Sequence, residues 1–309
     1  MSTTNDAPRF GRVITAMVTP FDEAGRLHTQ GAVNLARWLA AHGSDGLVLS
    51  GSTGESSVLT DEEKIDLWRA VAEAVTIPVI AGTGSNDTEH SIKMTKAARE
   101  CGVQGILAVT PYYNRPSQAG IEAHFRAMAE AGGDLPVLLY DIPIRSGRRI
   151  DHDTMLRLAR DVPTIVGLKD AAADPAGTAH LAAQLPAGFE IYSGDDVMTL
   201  PLLAVGAIGV ISVAAHWIAP QFRAVVDAFL RGDLATAIAG NAELLDSFDF
   251  ESTPNYPNPL PAKAMCRAMG LAVGQCRLPM GDATSELDEM AAKILAAVGT
   301  PAETVQTLA

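Results

Sequence analysis

The chain has 309 residues, 48% hydrophobic and 19% charged, an ordinary globular composition with enough apolar side chains for a large core. A formal net charge of −13 repels a phosphate backbone on average and argues against a nucleic-acid role. The cysteines, Cys101, Cys266 and Cys276, lack metal-ligand spacing and read as reduced thiols of a cytoplasmic protein.

Residues 1–12 carry neither a basic leader nor an apolar run, so they show no signal-peptide pattern. Short apolar runs then recur at 13–18, 46–50, 78–81, 105–109, 136–140, 165–169, 190–193 and 209–213. They are rich in Val, Ile and Leu and do not alternate with polar residues, as expected of strands covered on both faces. Amphipathic stretches lie between them. Ala32, Leu35 and Leu39 form one helical stripe. Thr60 and Glu63 make a capping box, each able to satisfy a free backbone N–H of the other. Asn86 and Asp151 are expected helix N-caps. The stretch 197–222 has no charged residue and is long enough to span a bilayer. Pro201, Gly206 and Gly209 divide it, so it reads as a buried helix, a tight turn and a buried strand.

Eight strands, each followed by a helix, predict an α/β fold of the (β/α)8 TIM-barrel type. An open doubly wound sheet is the alternative, but no G-x-G-x-x-G or Walker motif is present. Beyond Gly232 the pattern is helical, near 233–249, 258–270 and 284–298. The expected organisation is a catalytic barrel domain over 1–232 and a C-terminal helical domain over 233–309.

In such barrels chemistry sits at the C-terminal ends of the strands. Those ends carry GSTGES (51–56), GTGSND (82–87), TPYYNRPSQ (110–118), YDIPIRSG (140–147), Lys169 and SGDD (193–196). Lys169 closes an apolar run, and burying a charge is costly unless it is paired or gives up its proton. It is either a structural ion-pair partner, with Asp170 as the obvious mate, or a tuned amine. The His residues show no H-x-H or H-E-x-x-H, which argues against a metal hydrolase, and no G-x-S-x-G elbow is present. A lysine among tyrosines fits covalent chemistry: an amine condensing with a ketone, and hydroxyls moving protons. Each neighbour also has a plain structural reading. GSTGES is a turn or a carboxylate cradle, Tyr112 and Tyr113 are interface aromatics or site residues, and Arg145 is a surface charge or a carboxylate clamp. Asp195 and Asp196 read as helix-leading caps, and His216 as a packed strand-end residue.

Taken together and in this order, GSTGES, TPYYNRPSQ, YDIPIRSG, GLKDA (167–171) and SGDD resemble the dihydrodipicolinate synthase / N-acetylneuraminate lyase family, from GRVITAMVTPF (11–21) to RLPM (277–280). The resemblance implies a pyruvate-dependent class I aldolase on a TIM barrel, with no cofactor or metal. It makes Lys169 the imine-forming residue and Ser52, Tyr140 and Tyr113 a proton relay, Tyr113 reaching into the neighbouring subunit's site. It has Thr53 and Ser52 hold the pyruvate carboxylate, Arg145 the carboxylate of the aldehyde, and Ile211 and Gly194 line the substrate. It implies small-molecule substrates, a cytoplasmic homotetramer of tight dimers, and no nucleic-acid or membrane partner. The double tyrosine and Arg145 resemble the branch that uses L-aspartate 4-semialdehyde for diaminopimelate and lysine biosynthesis. Ser52, where that branch commonly has threonine, also occurs in sialic-acid lyases. An aldolase for N-acetylneuraminate or a 2-keto-3-deoxy sugar acid therefore stays open, as does a non-catalytic pyruvate sensor. Asp141 stands where asparagine is common. Asn86, Ser56 and Tyr112 match the family's lysine feedback site, whereas Asp61 and Lys64 replace histidines and His90 replaces a glutamate. A lost carboxylate and a gained cation predict insensitivity to L-lysine.

Overall fold

The computed structural model describes residues 7–299, so the first six residues of the stretch without a signal-peptide pattern lie outside the described residues. Among the described residues, strands β1 (Val13–Ala16), β2 (Gly46–Leu49), β3 (Val79–Gly82), β4 (Gly105–Val109), β5 (Val137–Asp141), β6 (Ile165–Asp170), β7 (Glu190–Ser193) and β8 (Gly209–Ser212) form one closed parallel barrel. β8 pairs back onto β1, which leaves no sheet edge exposed. Strands β3 and β5 start one residue later than their apolar runs, because Pro78 and Pro136 have no N–H for the ladder. Their carbonyls still accept, from Leu47 N at 2.9 Å and Ile106 N at 2.9 Å.

The outer layer comprises α1 (Thr29–Ala41), α2 (Asp61–Ala74), α3 (Thr88–Glu100), α4 (Gln118–Gly132), the short α5 (Pro143–Ser146), α6 (His152–Asp161), α7 (Pro175–Ala182), α8 (Thr199–Leu203) and α9 (Ala215–Leu230). The stripe Ala32, Leu35 and Leu39 is buried against the strands. The capping box at the start of α2 forms both bonds, Glu63 N to Thr60 Oγ1 at 3.2 Å and Thr60 N to Glu63 Oε2 at 3.0 Å. The other two expected caps need correction. Asp87, not Asn86, caps α3, its carboxylate accepting from Glu89 N at 2.9 Å. Asp151 occupies the cap position of α6, but its side chain makes no cap bond; its own N–H donates to Gln118 Oε1 at 3.0 Å. The uncharged stretch 197–222 becomes α8, β8 and the start of α9. Among the described residues no helix is long and apolar enough to cross a membrane.

Three further helices follow: α10 (Leu234–Phe250), α11 (Leu260–Ala268) and α12 (Ser285–Val298). α10 and α11 pack on α9, and both meet α12. Leu244, Phe248, Met265 and Leu287 join the same apolar cluster as the barrel helices. Two polar ties reach back to the loop after β2 and the helix that follows it. Lys263 of α11 pairs with Glu55 at 2.7 Å, both side chains almost wholly buried. Arg277 Nη1 donates to Glu63 Oε2 at 2.8 Å, and its N–H donates to Glu55 Oε2 at 2.9 Å.

The phase of β6 is set by an irregularity. Ile165 pairs with Val137, but Gly167, not Val166, pairs with Leu138. Val166 is an extra residue, a β-bulge, and beyond it the inward and outward faces exchange. Ile165 faces the helices and Lys169 faces the barrel interior beside Tyr140, although strict alternation would put both on one face. Gly167 is required there: a Cβ would sit 2.4 Å from Glu190 O and 2.7 Å from Leu138 Cδ2.

Candidate active site

Lys169 and Tyr140 are direct neighbours across β5 and β6. Lys169 Nζ lies 4.4 Å from the centroid of the Tyr140 ring, over its electron-rich face. The next residue on each strand points the other way. Asp170 accepts from Thr178 Oγ1 at 2.5 Å and from Ala172 N at 3.0 Å, so it is not the partner of Lys169. Among the described residues no carboxylate lies within ion-pairing distance of the amine. Burial pushes the Lys169 amine down to about 8, against the pull of Asp196, while Arg145 adds to the fall. The ion-pair reading of Lys169 thus finds no partner among the described residues, and the buried amine fits the other reading, a tuned amine. Gly194 makes room for it, since a Cβ would stand 2.9 Å from Lys169 Cγ.

Burial raises the Tyr140 hydroxyl to about 12, partly offset by Arg145 and by a hydrogen bond with the Ser52 side chain. A phenol held so high stays protonated at neutral pH, ready to donate or pass a proton. Ser52 is itself exposed at the rim, which leaves its hydroxyl open to the cleft. Its loop is fixed from behind: Ser50, buried and at φ 49°, accepts from Trp68 Nε1 at 2.8 Å and donates to Leu49 O at 2.8 Å. Thr53 is buried, and its Oγ1 accepts from Asn258 Nδ2 at 2.9 Å. Ile211 is buried in the barrel interior on β8. Arg145, exposed on α5, lines the same cleft as Ser52, Thr53, Lys169 and Gly194. Tyr113 is not brought to this cleft. It is 89% exposed, at φ 72°, on a loop projecting from the barrel mouth.

Sequence reasoning missed three contributors. Asn258 and Glu251 come from the C-terminal helical part, and no local pattern ties Asn258 to Thr53, 205 positions earlier, or Glu251 to the cleft. Asp196 is the third. Asp195 does not cap α8: Met198 holds the cap position without a side-chain bond, and it is the Asp195 backbone carbonyl that accepts from Met198 N at 3.2 Å. Asp196 instead is fully buried and binds the end of β8, through Ser212 Oγ at 2.7 Å, Val213 N at 3.1 Å and Ala214 N at 2.8 Å. His216 is the packed residue expected: Nε2 accepts from Val18 N at 3.1 Å, Nδ1 faces Val213 O at 2.7 Å, and burial lowers it to about 4.

A closed barrel with a buried, unpaired lysine beside a tyrosine at the strand ends is a specific arrangement, and known proteins are similar to this chain over most of its length. The model of the dihydrodipicolinate synthetase family matches residues 9–298. The chain belongs to this family. A 4-hydroxy-tetrahydrodipicolinate synthase of Symbiobacterium thermophilum is 49% identical over 294 residues, 94% of this chain and 99% of that one. Among solved structures, the family enzyme of Cyanidioschyzon merolae with lysine bound superposes with a TM-score of 0.90 at 42% identity, covering 94% of this chain and 99% of that one. The chloride-inhibited enzyme of Acinetobacter baumannii complexed with pyruvate gives a TM-score of 0.88 at 34% identity, covering 94% and 100%.

The positions matching the family's feedback site are arranged differently from a free acidic pocket. Asp61 is already engaged by His90 Nε2 at 2.8 Å and Lys93 Nζ at 2.7 Å, which together lower its carboxyl below the usual range. Lys64 is mostly buried beside it, and burial lowers its amine.

Proposed function

We propose that the chain is a lyase that condenses pyruvate with L-aspartate 4-semialdehyde through a Schiff base on Lys169, giving 4-hydroxy-tetrahydrodipicolinate in the diaminopimelate and lysine pathway. The observation that carries the reading is the Lys169 amine, buried without an ion pair and pushed down to about 8. A neutral amine attacks the keto carbon of pyruvate, the carbonyl oxygen takes up a proton, and loss of water leaves the imine. The protonated imine withdraws electrons from the pyruvate methyl, which gives up a proton and forms a bond to the aldehyde carbon. The aldehyde oxygen takes up a proton as that bond forms. The acceptor's own amine then displaces Lys169 and closes the ring. Tyr140 and Ser52 are suited to move these protons, and the Thr53 and Ser52 hydroxyls to hold the pyruvate carboxylate. Arg145, at the rim of the cleft, suits the carboxylate of the acceptor. Ile211 and Gly194 complete the wall.

The test is reductive trapping. Borohydride with pyruvate should fix one adduct on Lys169, and an adduct elsewhere, or none, would refute the reading. The purified enzyme should turn over pyruvate with L-aspartate 4-semialdehyde and leave sialic acid and 2-keto-3-deoxygluconate uncleaved. Tyr140→Phe should lower turnover by ~10²–10⁴-fold, the range of a general acid–base group, with little change in pyruvate affinity.

The protein works in the cytoplasm as a homotetramer of tight dimers, in which Tyr113 completes the neighbouring site. Its exposure and left-handed backbone suit a residue offered to another copy. Mixing Tyr113→Phe with Lys169→Ala protomers tests this. Each variant alone should be nearly inactive, and exchange should restore activity, because some sites then join an intact Tyr113 to an intact Lys169. Two preparations that stay inactive after verified exchange would contradict it.

L-Lysine at millimolar concentration should leave the rate unchanged. Asp61 has its charge satisfied by Lys93 and His90, and Lys64 adds a lysine side chain where a cationic effector would bind. A sigmoidal or saturating loss of rate in an L-lysine titration would overturn this.

A further inference from the structure

The end of α10 delivers Glu251 to the barrel mouth, where it lines the cleft that holds Lys169. Its carboxyl lies in hydrogen-bond contact with the Asp196 side chain, while Oε2 is sheltered from solvent with no hydrogen-bond partner. Asp196 spends Oδ2 on three donors from the end of β8. Two carboxyls in hydrogen-bond contact need a proton between them, since neither side offers another donor for that bond.

We propose that Glu251 is a positioning residue for Lys169: it contributes the proton of a shared Asp196–Glu251 carboxyl pair, which presents a single negative charge to the amine. The proposal rests on the Schiff-base reading of Lys169. Burial and the adjacent Asp196 hold the Glu251 carboxyl well above its ordinary range, in keeping with a protonated acid. Asp196 then carries the charge, fixed by Ser212, Val213 and Ala214. The other charged groups facing the amine are Asp195 on the same loop and Arg145 on α5, which act in opposite directions. One net charge from the pair suits both stages of the reaction. Two would hold the amine protonated and block attack; none would leave the iminium cation without a counter-charge in a buried site. Glu251 also makes the C-terminal helical part a contributor to the electrostatics of the barrel site.

The experiment traps the pyruvate adduct on Lys169 with cyanoborohydride between pH 6 and 9 in wild type, Glu251→Gln, Glu251→Ala and Asp196→Asn. Adduct is quantified by mass, full turnover is followed in parallel, and thermal melts check folding. Glu251→Gln keeps a donor to Asp196 and the single charge. Its pH midpoint should stay within about 0.3 unit of wild type and its rate within about threefold. Glu251→Ala loses that donor and should slow adduct formation about tenfold. Asp196→Asn removes the charge and should move the midpoint down by about one unit, a tenfold change in the amine's proton affinity. A Glu251→Gln midpoint that falls as far as that of Asp196→Asn means Glu251 itself carries charge, and overturns the proposal. An Asp196→Asn midpoint unchanged in folded protein overturns it as well. Absence of any Lys169 adduct in wild type sinks the Schiff-base reading and this proposal with it, whereas adduct in wild type with the wrong variant pattern sinks this proposal alone.

Discussion

Lys169→Met should abolish synthase activity, by at least ~10⁴-fold, and leave the protein as stable as before or more so. The first half follows from covalent catalysis, since a thioether cannot form an imine and the hydroxyls around it cannot replace the nucleophile. The second half follows from burial. Lys169 is 6% exposed and its amine unpaired, so its charged form pays desolvation that methionine, of similar length and no charge, avoids. Turnover and thermal melts on the same preparation check both. A melting point several degrees lower would mean that Lys169 anchors the barrel mouth. The wild-type enzyme has a related pH signature. Because the folded amine sits at about 8 and only its neutral form attacks, adduct formation should fall about tenfold per pH unit below that value and level off above it. An adduct rate flat between pH 6 and 8 would contradict the lowered amine.

The second large effect is on stability. Lys263→Met strips Glu55 of its partner where the two side chains are 0% and 3% exposed, and should cost about 3–5 kcal/mol in urea unfolding. The lysine also donates to Gln275 O at 2.9 Å and lies 4.0 Å over the Phe21 ring, so several elements lose contact at once. Adding Glu55→Gln should recover much of the loss, because the stranded charge causes most of it. Glu55 belongs to the loop that carries Ser52 and Thr53, so the single variant should also weaken pyruvate binding. A loss below ~1 kcal/mol would show that the pair is dispensable.

The barrel was legible because its signal is local. Uninterrupted Val, Ile and Leu runs mark strands buried on both faces, and Thr60 with Glu63 spells its own helix start. Lys169 and Tyr140 were legible as polar residues ending such runs. Contacts made across the chain were not. Asn258 holds Thr53, and Glu251 meets Asp196, from a helical segment whose sequence carries only amphipathic periodicity. Asp196 was misread because an acidic residue before a helix has the same local pattern whether it caps that helix or turns back to bind β8. The one-residue error at Asn86 and Asp87 has a similar origin, as both residue types cap well and only the backbone path chooses between them.

Beyond the bulge at Val166, length rather than residue type is the feature of β6 least free to change. Substitutions along the strand change packing by degrees. Deleting Val166 would leave Gly167 opposite Leu138 and Lys169 opposite Tyr140 on a regular strand, whereas one residue more or fewer between Gly167 and Lys169 would turn the amine into the helix layer. Composition around the lysine can therefore drift, and the bulge can come or go, while the count of residues from Gly167 to Lys169 stays fixed.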